Sequence, residues 1–381
     1  MTDWLTAEEA MLRLGVRPQT LYAYVSRGRV RAEADPADPR RSRYRAGDIA
    51  ALSGRKARSR KLADVAAEAI AWGEPVLASA ITTVADGRLW YRGQDAAALA
   101  ETETLEAVAR LLRGGLGAPP TEETSRVYRG ETFRERVFAL LAERAAGDPP
   151  SLGREPGELA DEAAQLLDEI ADAVAGEPGY GPIHERLGEA WSAPRDHWDL
   201  IRRTLVLLAD HELNASTFAA RVAASTGASL AAAALAGLSA LVGPLHGGMA
   251  RQVGDFADDI ERLGVAAAVG RWSNPSGALP GFGHRLYPEG DVRARALLSG
   301  FEPRADLEVL RRRVEAVSGL PANVDYALFA LAETLGLPDD APFALFAIGR
   351  AAGWIAHAME QAATGALIRP RARYVGPPPP A

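Results

Sequence analysis

The sequence contains no cysteine. Disulfides, thiolate metal sites and a cysteine nucleophile are therefore excluded, and redox chemistry does not fix the compartment. Aromatic residues make up 7% of the 381 residues, against an apolar share of 48% in which alanine and leucine dominate. That balance disfavours sandwiches of β-branched strands and favours packed helices, so an all-α body is the first expectation. No stretch reaches the ~18 uncharged apolar residues of a membrane span, and no signal-like apolar run opens the chain. A cytoplasmic protein without a membrane partner is expected. Lysine occurs only at positions 56 and 61, so nearly all positive charge is arginine, the side chain suited to paired contact with carboxylates and phosphates.

The charge that is present is unevenly placed. Residues 1–61 carry 14 Lys+Arg against 7 Asp+Glu, whereas the rest carries 29 against 43, a basic head on an acidic body. Thr6-Ala-Glu-Glu9 reads as a capping box opening a short helix that ends near Gly15, and a second helix starts at Pro18. Residues 54–61 are basic and without apolar periodicity, and read as a linker. Around Asp86-Gly87, short β-rich runs signal a hairpin. Helical patterns follow over 104–113, 132–146, 158–174 and 196–209. An alanine-rich run over 216–241 is expected to be a buried helix or helix pair that neighbours approach closely.

The stretch Pro280-Gly-Phe-Gly-His-Arg-Leu-Tyr-Pro-Glu-Gly-Asp-Val-Arg293 places His284 behind two glycines expected to bring the backbone close to a ligand, with Arg293 nine residues on. Gly243-Pro-Leu-His-Gly-Gly248 sets His246 in a similar cradle, and Pro321-Ala-Asn-Val-Asp325 presents a carboxylate after a proline turn. Two histidines and an aspartate so placed suggest acid–base chemistry on a carbonyl compound. A zinc-protease reading of His211-Glu-Leu-Asn-Ala215 fails, because Ala215 stands where the second histidine is needed. No metal site is expected, and His357 reads as a packed helix residue.

Together, GPLHGG, PGFGHR followed by DxR, NVD and the terminal RPRARYVGP resemble the citrate synthase family, with weaker similarity reaching forward to Pro75. The resemblance implies a helical body of a large domain (75–250), a small domain (251–340) and a returning large-domain segment (341–381). It implies condensation of acetyl-CoA with oxaloacetate and water to citrate and CoA, a tricarboxylic acid cycle reaction, with acetyl-CoA as substrate and no cofactor. By motif, Asp325 is the base, His246 the donor on the enolate oxygen and His284 the donor on the oxaloacetate ketone. His211, Arg293, Arg350 and Arg369 bind substrate, the last donated by the partner subunit of a homodimer, and Leu279, Pro280, Gly281, Phe282 and Gly283 bind CoA. Val292 replaces the usual proline after Asp291, and the lysine often found before NVD is missing, changes that bear on acyl choice and CoA phosphate contacts. Propionyl-CoA, giving a 2-methylcitrate synthase, is the nearest alternative substrate.

Residues 1–53 are similar to the winged helix-turn-helix domain of MerR- and excisionase-type proteins. Gln19, Thr20, Tyr22, Tyr24 and Arg27 then lie on or near a recognition helix, and Arg40, Arg41 and Arg43 on the wing, with 54–74 as linker and first helix. DNA is the partner this implies. The other outcomes are a structural cap, or a regulator in which the synthase body senses a metabolite.

Overall fold

In a computed structural model, residues 4–50 except 15, 17, 27 and 37 are described, together with 77–117, 126–273, 279–372 and 374–377. Arg27 and the linker at 54–74 lie outside the described residues. The chain divides into two compact units, Met1–Ala78 and Ser79–Ala381.

The first unit runs β1 (Trp4–Thr6), α1 (Ala7–Leu14), α2 (Pro18–Ser26), β2 (Ala32–Ala34) and β3 (Ser42–Arg45). The capping box is formed: Glu9 N–H donates to Thr6 Oγ1 at 3.3 Å, and Thr6 N–H donates to Glu9 Oε2 at 2.8 Å. β3 is the central strand of an antiparallel sheet in the order β1-β3-β2. Leu5, Ala10, Leu14, Leu21, Val30, Tyr44 and Ile49 close a small core beneath it.

The second unit opens with β4 (Thr82–Ala85), β5 (Arg88–Tyr91) and the short β6 (Gln94–Asp95). Asp86 and Gly87 (φ 53° and 69°) turn β4 into β5, and Arg92 and Gly93 (φ 45° and 80°) turn β5 into β6. Both are two-residue turns with positive φ at both positions, whose twist matches that of the strands.

Helices follow: α3 (Ala96–Thr102), α4 (Leu105–Leu112), α5 (Phe133–Gly147), α6 (Pro156–Ala175), α7 (Ile183–Ala190) and, after a 3-10 turn, α8 (Trp198–Leu208). Then come α9 (Ala215–Ser225), α10 (Leu230–Leu241), α11 (Met249–Leu263) and α12 (Val265–Trp272). The last are α13 (Val292–Leu298), α14 (Ala305–Ser318), α15 (Val324–Leu335) and α16 (Ala341–Thr364). The alanine-rich run is thus a helix pair, broken at 226–229 where Ser229 caps α10. A Cβ at Gly237 would stand 2.6 Å from the Trp354 ring, so only glycine lets α10 lie this close to α16.

Two apolar cores share the body. The larger is threaded by α16, whose residues 341–358 are all buried; the smaller gathers Val253, Phe256, Phe282, Val314 and Tyr326. No helix among the described residues is long and apolar enough to cross a membrane.

Candidate active site

Three chain segments far apart in sequence converge. The first is the 209–214 turn after α8. Tyr91 holds it from below, its hydroxyl lying 3.1–3.2 Å from the carbonyl oxygens of Val206, Leu207 and Asp210. Val84 N–H donates to Glu212 Oε1 at 2.5 Å, and Asn214 caps α9 with its side-chain oxygen. Glu212 takes a left-handed φ of 53°, a strained conformation that these anchors hold beside His211. The hairpin therefore serves the site indirectly. His211 is buried and precedes the helix rather than sitting on it, which is why its neighbourhood resembles a metalloprotease helix only in letters.

The second segment is the 279–293 loop. Leu279 and Phe282 bridge each other, Phe282 bridges Ala322, and Gly283 N–H donates to Pro321 O at 2.7 Å. Asn323 closes the joint, donating its N–H to Gly281 O at 2.8 Å and its Nδ2–H to Gly283 O at 3.0 Å while capping α15. The surroundings of the two glycines show what their missing side chains admit. A Cβ at Gly281 would meet Val253 at 2.9 Å and Tyr326 at 3.1 Å, and one at Gly283 would meet Leu320 at 3.3 Å, and both residues have positive φ. They let the loop seat against protein, so that Asp325, in the first turn of α15, is tied to the histidine loop.

His284 and His211 meet edge to face, ring centroids 5.2 Å apart, and Tyr287 joins them at 5.0 Å and 5.6 Å, its hydroxyl 3.0 Å from His211 Nε2. Arg293 is buried rather than a surface charge. Asp291 accepts from its Nε at 3.0 Å and its Nη2 at 2.7 Å, and also accepts from Val324 N–H. One carboxylate thereby orients the arginine and links α13 to α15.

The third segment is the His246 turn with α9 and α16. His246 Nε2 lies 2.9 Å from Ser216 Oγ, which accepts from Trp354 Nε1–H at 3.1 Å and stands 2.7 Å from Asn214 Oδ1; with the hydroxyl proton turned to Nε2, the imidazole carries its own proton on Nδ1, free to donate. The His246 ring packs edge-on to Phe346 at 6.1 Å, and the Arg350 guanidinium lies 5.0 Å over that same ring. Arg350 donates from Nε to Leu208 O, while its Nη2 is buried without a hydrogen-bond partner among the described residues.

The electrostatics divide the titratable groups by role. Burial, aided by Arg350, pushes His246 down to about 4; burial, aided by Arg293 and opposed by Asp291, does the same to His284. His211 is held well below 6.5 by burial and by Arg293 and Arg350. All three are neutral imidazoles at pH 7, able to donate one hydrogen bond each. Asp325 moves the other way, pushed up to about 6 by burial against the pull of Arg293. Burial lowers Arg350 to about 10; Asp291 outweighs burial at Arg293 and raises it. A carboxylate near neutrality, three neutral donors and two fixed cations suit removal of a weakly acidic proton from a bound anion.

Arg369 stands apart, exposed on the segment after α16, without an ion pair or hydrogen bond to described residues. Tyr287, Asp291, Ser216 and Phe346 were not singled out from sequence. Tyr287 and Asp291 fall inside the 280–293 stretch, where their type was legible but not their partners, and Ser216 carries no signal of its own.

The model of the citrate synthase C-terminal domain matches residues 162–371. The putative citrate synthase 2 of Mycobacterium tuberculosis is 34% identical over 329 residues, covering 77% of this chain and 88% of that protein. The 2-methylcitrate synthase 2 of Corynebacterium glutamicum is 36% identical over 199 residues, 49% of this chain and 51% of that one. Among solved structures, the citrate synthase of Thermoplasma acidophilum, a ternary complex with carboxymethyl coenzyme A and oxaloacetate, aligns with a TM-score of 0.64 at 25% identity over 81% of this chain and 95% of that one. Motif order, helical fold and these likenesses agree: this chain belongs to the citrate synthase family.

Proposed function

We propose that the protein condenses acetyl-CoA with oxaloacetate to citrate and CoA. Asp325 takes a proton from the acyl methyl group, and the electron pair left behind is delocalised onto the thioester oxygen as an enolate. His246 donates a hydrogen bond to that oxygen. The enolate carbon attacks the oxaloacetate ketone, whose oxygen is protonated from the His284 side, and water then hydrolyses the thioester and releases CoA. His211, Arg293 and Arg350 hold the substrate carboxylates; Arg369 of a second subunit completes them, and the 279–283 backbone receives CoA. The scheme calls for no cofactor. The observation that carries the reading is the meeting of His211 and His284 beside the buried Arg293 and Arg350, with Asp325 tied to the same loop through Asn323 and its carboxyl pushed up to about 6 by burial.

A free-thiol assay tests it, without background because the protein has no cysteine. CoA release from acetyl-CoA is expected only when oxaloacetate is present; release without it would point to a plain thioesterase. Propionyl-CoA is the second acyl donor to compare. The likeness to a 2-methylcitrate synthase supports that alternative, and a higher kcat/KM for propionyl-CoA would establish it.

The head is read as a winged helix-turn-helix that binds duplex DNA weakly. Gln19 and Tyr22 are exposed on α2, and β2 and β3 pair antiparallel, which supports reading them as a wing. Wing Arg41 and Arg43 are engaged by Asp38 and Glu33, surface pairs that a phosphate can displace. Fluorescence anisotropy on a labelled duplex should show binding that weakens steeply with salt. No binding at low salt would leave the head a structural cap.

A further inference from the structure

Asp210 precedes His211 and has no task in the scheme above. We propose that Asp210 is a positioning residue that balances the charge of Arg350 from a distance, leaving the free edge of that guanidinium for a ligand carboxylate. The inference rests on reading Arg350 as a carboxylate clamp.

The Asp210 carboxylate is fully buried, and its Oδ2 lies 3.1 Å from His357 Nε2. The other nitrogen of that ring settles which group donates. His357 Nδ1 lies 3.1 Å from Arg221 Nη1, and a guanidinium only donates, so Nδ1 accepts and a neutral imidazole carries its proton on Nε2. Arg221 is itself held by Glu360 at 2.5 Å and Gln361 at 3.1 Å. The Asp210 charge is thus anchored by a neutral donor instead of being consumed by a cation.

Arg350, Gly353 and His357 lie on one stripe of α16, one turn apart. A Cβ at Gly353 would stand 2.3 Å from Asp210 Oδ1 and 2.6 Å from Ala209 O, so glycine is what admits the 209–210 turn to this stripe. Arg350 is bonded through Nε to Leu208 O on the same turn, and no described carboxylate lies within ion-pair distance of it. Burial depresses Arg350, and the leading opposing influence is the charge of Asp210. A direct bridge would occupy the free donor, and no counter-charge at all would leave a buried cation unbalanced. The observed spacing avoids both.

The test is Asp210→Asn in the full-length protein, which keeps an acceptor for His357 and removes only the charge. Calorimetric titration with oxaloacetate should give a Kd tighter by about tenfold, since a nearby negative charge no longer opposes the dianion. The ligand-free unfolding midpoint should fall and the rise on adding oxaloacetate should grow. A merely structural role predicts unchanged or weaker binding, and either result overturns the proposal. Failure of wild-type protein to bind oxaloacetate would sink the condensation reading instead. The charge balance is then decided without ligand by Asp210→Asn combined with Arg350→Met. Recovery of the midpoint, or of folding if the single variant does not fold, supports the proposal. Losses that simply add, or a double variant that fails equally to fold, overturn it.

Discussion

Arginines of the head and of the body carry the same charge in opposite settings. In the head, Arg31 pairs with Asp48, Arg41 with Asp38 and Arg43 with Glu33, with the arginine side chains 63%, 81% and 29% exposed. In the body, Arg293 and Arg350 are 3% and 1% exposed, the first clamped by one buried carboxylate and the second with an unsatisfied edge. Exposed pairs exchange freely with water and salt, and so contribute little to folding and yield readily to another anion. Buried guanidiniums have already lost their hydration, cannot relax, and therefore select an anion that fits both donors. Burial, more than charge count, separates the two sets of arginines.

The largest effect expected in breaking this contrast is at the carboxylate the buried cations surround. Asp325→Asn should lower kcat by about 10²-fold or more, the scale of a positioned general base, while oxaloacetate still binds by calorimetry. Near-normal turnover would remove Asp325 from its role. Next is Arg350→Met, which fills the same space without charge: kcat/KM for oxaloacetate should fall by about 10²-fold, with acyl-CoA KM little changed, measured by initial rates. An equal loss for both substrates would mean that the residue supports the fold generally.

The pH dependence comes third. The carboxyl of Asp325 is raised to about 6 from 3.8, whereas His246 and His284 lie near 4. Activity should therefore fall as pH drops through about 6, and that limb belongs to Asp325 because the histidines stay neutral there. A raised carboxyl binds protons more tightly folded than unfolded, so its ionised form destabilises the native state above pH 6 and ceases to do so below about 4. Asp325→Asn should thus be more stable than wild type at pH 7–8 by on the order of 2–3 kcal/mol, with the gain disappearing towards pH 4, in denaturant titrations. A gain independent of pH would contradict the assignment. The smallest effect is in the head, where Arg43→Ala should change unfolding free energy by less than about 1 kcal/mol, and less again in high salt. A larger loss would show that the wing pair is structural.

The sequence by itself determined what depends on neighbours a few residues apart. The Thr6–Glu9 capping box, the Asp86-Gly87 turn and the helices over 104–113 and 132–146 follow from side chains that reach only the next turn, so their pattern is complete locally. The glycine-framed histidines and the aspartate stand out in the sequence as candidates because each motif is contiguous. Only tertiary structure decided their setting. Ser216 meets His246 across 30 residues, His211 meets Tyr287 across 76, and Asp210 meets His357 across 147. Whether Arg293 is a surface charge or a buried ion pair, how closely Gly281 packs on Tyr326, and whether Asp325 titrates near 4 or near 6 all depend on which distant side chains exclude water around them. Desolvation and through-space charge act over distance in the fold and leave no periodicity in the chain.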